Sequence, residues 1–125
     1  MKKGLEEINQ LVGIWGSLIC NNQGEIILGN TPPGLNKSAL ENINRNGISM
    51  FTSANGSMQG ISEAVLHYEE RKLFVLDLEK VFLIVICTPS VDISLLRMTV
   101  NVLLSRWDGD QKVQKEINKR FVERI

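Results

Sequence analysis

Few residues of this 125-residue chain could do chemistry: one histidine (His67), two cysteines (Cys20, Cys87), a serine between glycines, and Asp77 inside an apolar run. A single imidazole cannot build a metal site on two histidines within one chain, so no metal ligand set is expected. His67 lies in Leu66-His-Tyr-Glu-Glu70, where it reads as an outward-facing or edge residue and not as a general base. In Gly56-Ser-Met-Gln-Gly60 the serine stands one position too early for the Gly-x-Ser-x-Gly nucleophile elbow. That segment also runs from a helical pattern into a strand pattern, the reverse of what the elbow requires. No Gly-rich loop leads into Lys-Ser/Thr, so the chain is not itself a P-loop nucleotide hydrolase. Asp77 has no evident partner and reads as a strand-end carboxylate reaching water. Both cysteines sit in apolar segments, where a thiol acts as a small hydrophobe, and two cysteines make neither a disulfide framework nor a zinc site. No catalytic residue, cofactor site or metal site is expected. The chemistry points to binding.

Charge narrows the class of partner. Lys and Arg number 14 and Asp and Glu number 14, so no basic excess exists to hold a phosphate backbone, and nucleic acid is discounted. Arg71 and Lys72 fall in a turn, where charges are solvated or dock an acidic partner. Near the N-terminus two lysines meet Glu6 and Glu7 where a signal peptide would be apolar. No apolar stretch approaches the roughly 18 to 20 residues that span a bilayer. A cytoplasmic protein without membrane insertion is the expectation. Hydrophobic content of 43% and this length suit one domain with a genuine core.

The elements that must position these residues start from Val81-Phe-Leu-Ile-Val-Ile-Cys87, which contains no polar residue. A strand wet on one face alternates; an unbroken run is covered on both. Upstream, Leu5, Ile8, Leu11 and Val12 give a short helix over 3–12, closed by Gly13. Ile14–Cys20 and 25–28 form a hairpin around Asn21-Asn-Gln-Gly24. The prolines of 29–34 make that segment a loop. Asn36 is placed to cap a long helix in which Leu40, Ile43, Gly47, Met50, Phe51, Ala54 and Met58 keep the period. Gly47 lies on the apolar stripe and costs about 1 kcal/mol there. Either another backbone approaches closely at that point, or Asn46-Gly47 ends one helix before a second. A three-strand meander follows over 61–68, 73–78 and 81–88. The Glu79-Lys80 turn has no glycine for a primed geometry. Ser90 or Asp92 caps the next helix. Its stripe of Ile93, Leu96, Val100, Leu103 and Trp107 runs beside a second one of Leu95, Met98 and Val102, an arc wide enough for burial against the sheet and another helix. After Asp108-Gly-Asp110, Val113, Ile117, Phe121 and Ile125 recur every fourth residue among charges, as in an amphipathic helix.

With Leu11-Val-Gly-Ile-Trp-Gly-Ser-Leu-Ile-Cys20, Gly24-Glu-Ile-Ile-Leu28 and Phe82–Cys87, this element order resembles the roadblock family of dynein-light-chain-type domains over about 5–107. Trp15 is bulkier than the small apolar residue expected there, and the helix after Gly109 lies beyond the minimal domain. The resemblance implies an α+β, profilin-like fold. In it a five-stranded antiparallel sheet ordered 2-1-5-4-3 carries the long helix on one face and the first and third helices on the other. It divides the chain into a domain over 1–108 and an amphipathic extension over 109–125. It also implies a homodimer joined through the border strand at Ile61, Glu63, Val65 and His67. The long helices would lie side by side at Ile43, Gly47 and Met50. Cys20 and Cys87 would fall at opposite ends of the sheet, too far apart to bridge.

Roadblock domains commonly act as dimeric platforms for Ras-like small GTPases, so the resemblance implies a non-catalytic protein that binds such a GTPase and regulates its localisation or nucleotide cycle. Arg71, Lys72, Ile117 and Phe121 are the residues available for docking it. The C-terminal helix packs on its own domain, swaps onto a neighbour or engages the GTPase; the first is preferred. A second reading is a ligand-sensing profilin-like or PAS-like domain with a pocket lined by Trp15, Met50, Phe51 and Met58. A hydrolase or transferase stands last, because no nucleophile–base pair can be assembled.

Overall fold

The apolar run becomes the middle strand of a sheet buried on both sides. A computed structural model describes residues 2–29, 34–57 and 62–108. Its elements are α1 (Lys2–Asn9), β1 (Ile14–Cys20), β2 (Ile26–Gly29), α2 (Lys37–Ser57), β3 (Glu63–His67), β4 (Lys72–Asp77), β5 (Phe82–Cys87) and α3 (Ile93–Asp108). The five strands form one antiparallel sheet in the order β2-β1-β5-β4-β3. Side chains alternate between its faces. Ile19, Phe74, Leu83, Val85 and Cys87 meet α1 and α3 through Leu5, Ile8, Leu96, Val100, Leu103 and Trp107. Leu18, Cys20, Leu73, Val75, Ile84 and Ile86 meet α2 through Leu40, Ile48 and Phe51. Fully burying each such side chain stabilises the fold by about 1.5–3 kcal/mol.

Both long helices start at side-chain caps. Asn36 Oδ1 accepts the Ala39 N–H at 2.7 Å, and Asp92 Oδ1, not Ser90, accepts the Leu95 N–H at 3.0 Å. Each satisfies an orphan first-turn donor, worth about 1 kcal/mol. α2 runs unbroken through Asn46-Gly47. A Cβ on Gly47 would lie 3.3 Å from Leu73 Cδ1 and 3.6 Å from Leu66 Cδ1. The close approach this glycine permits is therefore to its own sheet at β3 and β4.

Two local expectations are corrected, and a third, the Glu79-Lys80 turn, is met with a specific geometry. α1 ends at Asn9 instead of Val12, because the chain turns through Gly13, at φ +89°, to deliver the Gly13 carbonyl to Thr88 N–H at 2.8 Å. The second stripe of α3 is not buried: Leu95, Met98 and Val102 keep 45%, 64% and 54% of their surface. One stripe is enough to cover the sheet, and no described helix lies over the other. The β4–β5 turn meets its lack of glycine by placing Glu79 itself at φ 74°, with Asp77 Oδ1 accepting the Glu79 N–H at 2.7 Å. Asp77 is thus a turn-forming carboxylate at a strand end.

Candidate protein-interaction surface

The two borders of the sheet are built differently. At β3, the Ser62 carbonyl accepts the Asp77 N–H and the Tyr68 N–H donates to the Arg71 carbonyl, both at 2.9 Å. Between them the ladder pairs Glu63 with Leu76 through to His67 with Lys72. Hydrogen-bonded pairs alternate along an antiparallel ladder. The even-numbered residues therefore bond to β4, while Glu63, Val65 and His67 turn their N–H and C=O groups outward. No strand lies beyond them among the described residues. At the opposite border, the Ile26 N–H donates to the Glu41 carboxylate of α2 at 2.9 Å, so the start of β2 is blunted by a side chain.

The side chains of β3 divide by parity. Val65 packs on the α1/α3 face, and Ala64 and Leu66 pack on the α2 face. Glu63 is held by Arg97 of α3, Nε to Oε1 at 2.8 Å. Both groups are partly exposed, which limits the pair to about 1 kcal/mol or less. His67 is exposed at the strand end, opposite Lys72. Ile61 lies outside the described residues.

Beside this border, α2 presents half-buried Ile43 and exposed Met50, and the Tyr68 hydroxyl donates to Met50 Sδ at 3.4 Å. Ile43, Asn46, Tyr68, Glu69, Glu70 and Arg71 line a cavity of about 310 Å³. Ile43, Met50 and Arg71 are thus brought to one surface. Gly47 faces inward. Lys72 is separated from Arg71, because adjacent strand residues point to opposite faces. Ile117 and Phe121 lie outside the described residues.

The residues named for a ligand pocket do not converge. Phe51 is core, edge-to-face with Phe82 at 5.7 Å, while Met50 and Trp15 are exposed and Met58 lies outside the described residues. Cys20 pairs with Phe82 and Cys87 with Ile14, at opposite ends of β5, and both thiols are free. Burial, reinforced by the Glu41 carboxylate, pushes the Cys20 thiol up to about 12. Burial pushes Cys87 up to about 11, against the opposing pull of Lys72. Neither is a nucleophile near neutrality. Among the described residues, no group of three or more His, Cys, Asp or Glu could hold a metal ion, and no helix is long and apolar enough to cross a membrane.

Sequence reasoning missed Glu41, Arg97 and Tyr68. Arg97 and Glu63 stand 34 residues apart, and Glu41 and Ile26 stand 15 apart. No local spacing signals either contact.

A 2-1-5-4-3 sheet with one long helix on one face and two helices on the other is the roadblock fold. Solved structures agree. A roadblock/LC7 domain from Streptomyces avermitilis superposes with a TM-score of 0.68 at 14% identity, covering 87% of this chain and 95% of that one. The gliding protein MglB from Thermus thermophilus gives 0.68 at 11% identity, covering 94% and 87%. Myxococcus xanthus MglB gives 0.66 at 11% identity, covering 98% and 94%. At these identities the likeness is one of fold. No protein-family model matches the sequence, and no curated protein matches it.

Proposed function

We propose that this protein is a non-catalytic homodimeric platform that binds a Ras-like small GTPase in the cytoplasm and regulates its localisation or nucleotide cycle. The observation that carries the reading is the open β3 border, with outward groups on Glu63, Val65 and His67, beside a blunted β2 border. An exposed row of backbone donors and acceptors is a template for another strand. Pairing two copies there continues the sheet and brings two α2 helices together, with Ile43 and Met50 on the shared face. The roadblock resemblance supports the same reading, because roadblock domains commonly act as dimeric platforms for Ras-like small GTPases. Arg71, beside Glu69 and Glu70, supplies a polar rim.

The amphipathic extension expected from 109 onward lies outside the described residues, and the exposed row Leu95, Met98 and Val102 leaves an apolar surface on this domain for it to cover. Affinity capture with this protein as bait, against small GTPases loaded with GDP or a GTP analogue, tests the partner. Recovery of a GTPase with a nucleotide preference supports the reading, and failure in both states sinks the GTPase assignment.

A further inference from the structure

Only the odd-numbered residues of β3 can bond across its border, so two copies can meet in registers that differ by two-residue steps. We infer that they meet antiparallel with Val65 on the two-fold axis, Glu63 of each copy opposite the partner's His67. This inference rests on the edge-pairing reading above and specifies its geometry.

Three observations select the register. First, a closed homodimer interface is self-complementary, so the axis must pass through or beside one strand residue. With Val65 on the axis, all five residues of Glu63–His67 overlap, and the outward N–H and C=O groups of Glu63, Val65 and His67 all find partners. Sliding the axis to Ala64 or Leu66 leaves an end residue of the strand without a partner inside β3.

Second, the charges fit this register and oppose its neighbours. An axis at Glu63 sets two carboxylates face to face, which destabilises a cross-strand pair. An axis at His67 sets the two imidazoles face to face, each already flanked by Lys72. With Val65 central, each Glu63 carboxylate, steadied by Arg97, reaches the partner's His67 and the partner's Lys72 beyond it. Each end of the border then sets a carboxylate against the partner's imidazole, with a lysine beyond it.

Third, the centre is apolar. Val65 lies on the α1/α3 face directly opposite Phe74 within its own sheet. A row of Phe74, Val65, the partner's Val65 and the partner's Phe74 would form a dry middle between two polar ends, the pattern of a well-packed interface core and rim.

Cysteine crosslinking reads the register directly. A hydrogen-bonded antiparallel pair sets its Cα atoms about 5.5 Å apart, within disulfide range. The native thiols are buried and do not compete. Oxidation of full-length Val65→Cys with diamide is expected to give a covalent dimer on a non-reducing gel. Glu63→Cys and His67→Cys are expected to stay uncrosslinked alone but to link when mixed. Self-linking of Glu63→Cys or His67→Cys, with Val65→Cys unlinked, would overturn the register while leaving edge pairing intact. A light-scattering dimer in which none of the three crosslinks would overturn the register and relocate the interface. Monomer mass for the wild-type protein would overturn the edge-pairing reading itself.

Discussion

The carboxylate of Glu41 on α2 accepts the N–H of Ile26 on β2 at 2.9 Å, and this contact separates the two borders of the sheet. One border is occupied by a side chain of its own chain. The other, at β3, has no described strand beyond it. The two borders of the sheet are therefore unequal.

Removing the Glu41 side chain should therefore cost stability and expose a second border. Glu41→Ala is expected to lose about 1.5–3 kcal/mol in urea unfolding, the range for a hydrogen bond to a charged group. Glu41→Gln retains an acceptor and should lose less. Equal losses in the two variants would show that the negative charge, which both remove, carries the contact, and not the packing or a neutral acceptor.

Cys20 gives the protein an alkaline sensitivity with a definite sign. Its ordinary value is 9.0, and in the fold it rises to about 12 through burial and then Glu41. Above pH 9 the unfolded chain releases this proton while the native state keeps it. The unfolded state then binds fewer protons, and stability falls as pH rises towards the folded value. Below pH 9 both states hold the proton, and the group's contribution is fully present. Between pH 8 and pH 10 the wild type should lose about 1 kcal/mol more than Cys20→Ala. Parallel stability curves for the two proteins would refute this.

Glu79 stores strain that glycine would release. A side chain at φ 74° sits in the left-handed region. Glu79→Gly should stabilise the protein by about 0.5–1 kcal/mol, a rise of about 2–4 °C in melting temperature. A fall would mean that the Glu79 side chain contributes more than its backbone costs.

Deletion of residues 110–125 separates packing from docking. If the extension covers Leu95, Met98 and Val102, the shortened protein should lose about 2 kcal/mol and melt earlier. An unchanged melting temperature with lost GTPase binding would assign the extension to the partner.

Much of the fold was legible because its strongest signals are local. The polar-free run of β5 announces a strand covered on both faces. The stripes of α2 and α3 follow from period alone, and Asn36 caps where its position predicts. The open border came from element order through the roadblock resemblance, since no residue of β3 marks it as terminal. What stayed hidden depends on contacts distant in sequence. Gly47 on an apolar stripe says that something approaches closely, but only the folded sheet shows that it is Leu73 and Leu66. The wide arc of α3 suggests burial against the sheet and a second helix; α1 supplies that helix at Leu103 and Trp107, yet Leu95, Met98 and Val102 stay exposed. Arg71 and Lys72 look like one basic patch until the strand's two-residue period sends them to opposite faces.

Val65→Pro offers the most direct test of the central claim, because the Val65 N–H points outward and proline removes that donor without removing a β3–β4 bond. Light scattering at micromolar concentration should give twice the 14.0 kDa chain mass for the wild type and the single-chain mass for a still-folded Val65→Pro. A wild-type protein that runs as a single chain, or a Val65→Pro variant that remains a dimer, would contradict the account.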